Sequence, residues 1–143
     1  HFARQYRDHP PDLPYAFGVL VDMVDDKRLN LMQERYSISW EATRPLVQDI
    51  WATAERLRVR EFIHRPLPGP VLDDHIPLNR IAKIPVCDII DFQYPNVRNS
   101  YWHTTADVPE NCSAKSLEKV GWVLQTWLAE KRKAAPKEGD RSP

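Results

Sequence analysis

Tyr15-Ala16-Phe17-Gly18-Val19-Leu20-Val21-Asp22-Met23-Val24 is an almost unbroken apolar run rich in β-branched residues. Such a run predicts a strand covered on both faces, as inside a sheet flanked by helices. Ile84-Pro85-Val86-Cys87-Asp88-Ile89-Ile90 repeats the pattern, with its proline at the entry, where a missing ladder donor costs least. Leu29-Asn30-Leu31-Met32-Gln33 alternates with period two. Glu61-Phe62-Ile63-His64 is a short strand candidate, and Pro66, Pro68, Gly69 and Pro70 after it exclude helix or central strand.

Between these runs the period becomes helical. Leu46, Ile50, Ala54 and Leu57 recur on one face, and Pro45 fits only if the helix begins near Thr43 or Arg44 with the proline in its first turn. A last helix is expected from a Ser113 cap to about Lys133, with Leu117, Val120, Leu124, Trp127 and Leu128 as its core stripe. Lys131-Arg132-Lys133 suits the negative end of that helix. His1 to Arg7 is helix-compatible and reads as the end of an element, closed by Pro10, Pro11 and Pro14. Strands alternating with helices make the chain α/β. Residues 1–133 form part of a single domain in this reading, and 134–143 have the composition of a disordered tail.

The chain has 143 residues, 20 Lys+Arg against 20 Asp+Glu and 42% hydrophobic residues, which fits one globular unit. Zero net charge without a basic stretch argues against nucleic acid or an anionic membrane as partner. No apolar run approaches the roughly 20 residues of a spanning helix, and the chain opens without a signal-peptide core. Thirteen prolines against four glycines describe stiff connections. Cys87 and Cys112 allow one bridge or two free thiols, and their spacing matches no zinc cluster.

Ionisable side chains stand where apolar strands or tight loops should have none at Asp22, at Asp73-Asp74-His75, and at His103 in Tyr101-Trp102-His103-Thr104-Thr105. A carboxylate in a buried strand requires a cation, an arginine partner or several donors. Asp73 or Asp74 reads as the cap of a short helix from Ile76 to Ala82 with Pro77 in its first turn. That explains one aspartate; a second carboxylate beside another charge is a proton-shuttling arrangement. Asp22 and His103 are both expected near the carboxyl ends of strands, where open α/β sheets collect ligands. An imidazole with carboxylates is a zinc donor set, although a hydrogen-bonded loop histidine explains His103 equally well.

Leu72-Asp73-Asp74-His75-Ile76-Pro77-Leu78 resembles the DDHIPF motif of the glutaminyl cyclases, relatives of the zinc-dependent leucyl aminopeptidases. Trp102-His103-Thr104 resembles their WHT motif, and Thr104-Thr105-Ala106-Asp107 continues as in the aminopeptidases. Leu20-Val21-Asp22-Met23 resembles the strand whose aspartate binds a second zinc in dinuclear aminopeptidases or relays protons in cyclases. The resemblance implies a mixed, mostly parallel central sheet flanked by helices, incomplete on its N-terminal side. It implies His103 as a zinc ligand, Asp22 as ligand of a second zinc or proton relay, and Asp73 as part of the cyclase hydrogen-bond network. Trp102 and Tyr94 are expected to wall the substrate pocket, with Asp88 where cyclases carry a histidine. One or two zinc ions, a peptide N-terminus as substrate and an exported enzyme follow from the same resemblance.

The family's other metal ligands and its Glu-Glu pair lie upstream of the matching motifs, so the chain reads as the C-terminal half of an enzyme. Three functions follow. The parent cyclises N-terminal Gln with release of ammonia, or it is a metallo-aminopeptidase, or this chain is a non-catalytic half that needs a partner chain for the missing N-terminal part.

Overall fold

The structure, a computed structural model, describes residues 1–96 and 98–134. Helix α1 (Phe2–Asp8) leads to strand β1 (Gly18–Asp22), strand β2 (Leu31–Gln33), the short helix α2 (Arg35–Ser39) and helix α3 (Arg44–Arg56). Strand β3 (Phe62–Pro66) follows, then one helical turn α4 (His75–Pro77) that widens into a π-helical segment over Leu78–Ala82. Strand β4 (Val86–Ile90), the small strands β5 (Pro95–Asn96) and β6 (Asn99–Ser100), and helix α5 (Ala114–Ala134) complete the order.

β1 pairs in parallel with β4, Gly18 against Val86 through Asp22 against Ile90, and β2 pairs in parallel with β3. β5 and β6 form an antiparallel pair. This is the α/β class that the alternation of patterns predicts, with the mostly parallel pairing that the family resemblance implies. Both parallel pairs are joined through intervening helices, as parallel connections require.

Burial corrects two expectations. β4 is the strand buried at every position, whereas β1 is only half-buried and Val21 is 41% exposed. Among the described residues β1 has β4 as its one partner, so its second edge and part of its apolar face stay open. On α5 the inward face is Ser116, Val120, Val123 and Trp127, while Leu117 and Leu128 are each 49% exposed. The core face is therefore rotated from the expected stripe, because Phe17 meets Trp127 edge to face at 5.2 Å and sets the helix's rotation.

The main core gathers Leu31 of β2, Val47, Ile50, Trp51 and Ala54 of α3, Cys87 and Ile89 of β4, and Val120, Val123 and Trp127 of α5. Pro45 sits in the first turn of α3 as expected, and the Trp51 indole N–H donates to Ile63 O at 3.0 Å. Ser113 Oγ accepts from Ser116 N at 3.3 Å and caps α5. The expected cap before Ile76 is absent: Asp73 Oδ1 accepts from Asp74 N at 2.6 Å, and Ile76 N bonds instead to Asp73 O. Of the tail, residues 135–143 lie outside the described residues.

Gly18 enters β1 where an added Cβ would meet Val86 Cγ2 at 3.0 Å. Valine is stiff about its first side-chain torsion, so it cannot swing aside. Gly18→Val is expected to lower the unfolding free energy by about 1–3 kcal/mol, as overpacking does. Urea denaturation checks this, and an unchanged midpoint would contradict the β1–β4 register.

Candidate active site

Asp22 ends β1, and Asp73 precedes α4 in the loop that leaves the proline-rich segment; both are half-buried. Burial, the charge of Asp73 and a hydrogen bond with Asp73 raise the Asp22 pKa, the Met23 N–H opposes them, and Asp107 adds a further raising charge. A half-buried carboxyl beside a like charge ionises less readily, so Asp22 holds its proton more tightly than an exposed aspartate does.

His103 and Trp102 lie on the exposed loop after β6. Their rings stack with centroids 4.1 Å apart, and Trp102 leans on Phe92 at 5.7 Å. The backbone of His103 is left-handed, with φ 58°, a conformation that costs a non-glycine residue about 1–2 kcal/mol. Its turn is closed by Thr104 N and Thr104 Oγ1, which both donate to Tyr101 O, at 3.0 and 2.7 Å. Strain held in this way belongs to sites where a side chain must be presented. Beside Trp102, an open groove of about 380 Å³ runs between Leu67-Pro68-Gly69-Pro70 and Phe92.

Tyr94 and Asp88 occupy different places from those expected of pocket walls. Tyr94 is 3% exposed; its hydroxyl donates to Asp107 Oδ1 at 3.2 Å, its O accepts from Tyr101 N at 3.0 Å, and its ring meets Tyr101 edge to face. It anchors the His103 loop from below. Asp88 is fully buried in the middle of β4.

Glu34 and Ser37, both close to Asp88, escaped the sequence reading, whereas His75 stood out there within the Asp73-Asp74-His75 run. Glu34, fully buried at the junction of β2 and α2, accepts from Tyr36 N at 2.9 Å, Ser37 N at 2.7 Å, Ser37 Oγ at 2.8 Å and Val71 N at 3.2 Å. His75, also fully buried, places Nε2 3.3 Å from Glu34 Oε2 and Nδ1 3.6 Å from Asp88 Oδ2. Ser37 Oγ in turn accepts from Asp88 N at 3.0 Å. The available signal was weak: Glu34 is one polar residue at a strand end, and His75 had been absorbed into a helix start.

Burial alone would raise the Glu34 pKa, but the adjoining His75 ring and three backbone N–H groups outweigh it and bring the pKa down to about 2. Asp88 goes the other way. Burial first, then the charges of Asp73, Glu34 and Asp22, push it up to about 7 against the opposing pull of His75.

As a zinc centre the donor set falls short. A catalytic zinc takes three protein ligands, and no group of three or more His, Cys, Asp or Glu side chains is placed to hold a metal among the described residues. Among the same residues, no helix is long and apolar enough to cross a membrane.

Residues 1–128 match the family described as Peptidase family M28. The chain belongs to the M28 peptidase family. Over 63 residues it is 40% identical to a mouse glutaminyl-peptide cyclotransferase-like protein, covering 44% of this chain and 15% of that one. The glutaminyl cyclase of Porphyromonas gingivalis superposes with a TM-score of 0.77 at 28% identity, over 90% of this chain and 48% of that chain. The Fimbriiglobus ruber glutaminyl cyclase gives 0.77 at 35% identity, over 89% and 41%. A zinc-dependent exopeptidase of Parabacteroides distasonis gives 0.73 at 29%, over 85% and 42%. The M28 chain thus spans less than half the length of these solved relatives.

The buried carboxylates set opposite pH responses. Asp88, with its pKa raised above the unfolded value, binds a proton in the native state that the unfolded state has already released, so its contribution declines as pH rises from about 4 to about 7. Glu34, with its pKa lowered, contributes above the unfolded value and loses that as pH falls from about 4.5 towards about 2. Asp88→Asn is expected to remove the first slope, by at most about 4 kcal/mol, in denaturation series run from pH 4 to 8. A slope that survives the substitution would place the proton on another group.

Proposed function

We propose that the chain contributes to an enzyme acting on peptide N-termini and that the reaction is cyclisation of N-terminal glutamine. The Asp22–Asp73 carboxyl pair at the carboxyl end of β1 carries this reading, and the cyclase relatives support it.

In cyclisation the N-terminal amine attacks the glutamine side-chain amide carbon. A C–N bond forms, the amine loses a proton, the old C–N bond breaks, and the departing nitrogen takes up that proton to leave as ammonia. One group must therefore accept a proton and return it within the same turnover. Asp22, whose proton affinity is raised by burial and by the charge of Asp73, is suited to that exchange. Trp102, with its exposed face over the groove, supplies a wall against which the substrate's first residues pack.

Zinc belongs to the proposal through the relatives, where it would polarise the amide carbonyl. His103 and Asp22 are the donors this chain would contribute, with the remaining ligands supplied from outside the described residues.

The exopeptidase relative supports a second reading, in which water takes the place of the amine and the carboxyl pair acts as general base for hydrolysis. A third rests on the open edge of β1: the half-site closes only against a partner chain.

With the full-length protein, ammonia release from a Gln-Phe peptide is expected to exceed amino-acid release from an unblocked peptide. Asp73→Asn is expected to lower kcat by roughly 100- to 10,000-fold, the range of a general acid–base group. Amino-acid release alone would establish the peptidase reading instead.

A further inference from the structure

We propose that His75 is a positioning residue, the central member of a buried ring of Glu34, His75, Asp88 and Ser37 that holds Asp73 against Asp22. The inference deepens the reading above, because it names what sets the geometry of the carboxyl pair.

Two sides of the ring are hydrogen bonds through Ser37, and two are close approaches of the His75 nitrogens to carboxylates. Glu34 Oε2 lies 3.3 Å from His75 Nε2, and Asp88 Oδ2 lies 3.6 Å from His75 Nδ1. Ser37 Oγ donates to Glu34 at 2.8 Å and accepts from Asp88 N at 3.0 Å. All four residues are nine-tenths or more buried. They come from three places in the fold: Glu34 caps α2 and Ser37 lies within it, Asp88 is at the centre of β4, and His75 opens α4.

Its position gives the ring its function. His75 stands two residues after Asp73, and Val71, two residues before Asp73, donates its N–H to Glu34 Oε1 at 3.2 Å. The Asp73 loop is therefore gripped on both sides by one carboxylate, directly at Val71 and through the imidazole at His75. Asp88 faces Leu20 across the β1–β4 register, two residues before Asp22 on the same strand. The ring thus ties the loop bearing Asp73 to the strand pair bearing Asp22.

Both His75 nitrogens and both Asp88 carboxylate oxygens are buried without a well-aligned hydrogen bond. Groups this deep are retained at a cost in stability unless they fix something that an apolar core would not. Here that something is the loop: an apolar residue at position 75 fills the space but makes no contact that fixes how far Asp73 stands from β1.

The test has two arms. In amide hydrogen exchange on this chain, His75→Gln is expected to speed exchange at Val71 and at residues 72–75 by at least about 10-fold, with the α3 amides unchanged, the signature of local opening. In full-length protein the same change is expected to lower kcat on a Gln-peptide on the order of 100-fold with KM unchanged, as misplacement of a reacting group does. Should His75→Gln fail to fold, Ser37→Ala opens the ring at its lightest member and is read the same way. Exchange that rises uniformly across loop and α3, or not at all, overturns the proposal, as does kcat that holds while the loop loosens. If the wild-type protein turns over neither a Gln-peptide nor an unblocked one, the functional reading fails, and the exchange arm alone decides the positioning role.

Discussion

Asp88 lies in a strand with no solvent on either face, and the centre of the molecule is arranged around that fact. β4 is buried at all five positions and pairs residue by residue with β1. A carboxylate there must be answered from within, since isolated charge in a low-dielectric interior is far costlier than any packing gain. His75 lies against it on one side, and the Ser37 hydroxyl takes up its backbone N–H. Glu34 then answers His75 and is itself satisfied by backbone donors from α2 and from Val71. One buried acid thus gathers a second acid and a serine from the start of α2 and a histidine from α4. The path of the chain from β2 to α4 is pinned to β4 by polar contacts as well as by side-chain packing.

The outer carboxylates inherit their chemistry from this arrangement. Asp22 and Asp73 are half-buried; the charges of Asp73 and Asp107 raise the proton affinity of Asp22, and those of Asp73, Glu34 and Asp22 raise that of the buried Asp88. A lone surface aspartate would be a weak base at neutral pH. Burial and the neighbouring carboxylates raise the proton affinity of Asp22 above that of such an isolated group.

The parallel strands and long helices were legible because each rests on a local signal: an apolar run for β1 and β4, a 3.6 period for α3 and α5, and Pro45 for the start of α3. The errors arose where neighbours decide. The inward face of α5 turns on where Trp127 meets Phe17, and the burial of β1 depends on how many strands flank it. In the candidate site, Asp22, Asp73 and His103 stood out because polar residues interrupted apolar or tight segments. Glu34 and Ser37 sit where polar residues are ordinary, at a strand end and in a short helix, and only the fold reveals that both are buried. Tyr94 could be placed near the site from sequence, but its role as anchor depends on Asp107, thirteen residues away.

His103 and Asp22 are held by opposite means, and that difference bears on what the site is for. Asp22 sits on a strand end and answers to the buried ring, so its position changes little unless the core does. His103 sits on an exposed loop in a left-handed conformation, fixed by the Thr104 turn and by the Tyr94 anchor. One of the two proposed donors is thus placed by a strand end and the other by a braced loop, beside which Trp102 lines the groove with Leu67, Pro68, Pro70 and Phe92. The two reactions proposed for this site are cyclisation and aminopeptidase hydrolysis. The two reactions part only at the nucleophile, an amine of the substrate or a water, and both ask the carboxyl pair to take one proton and give it back.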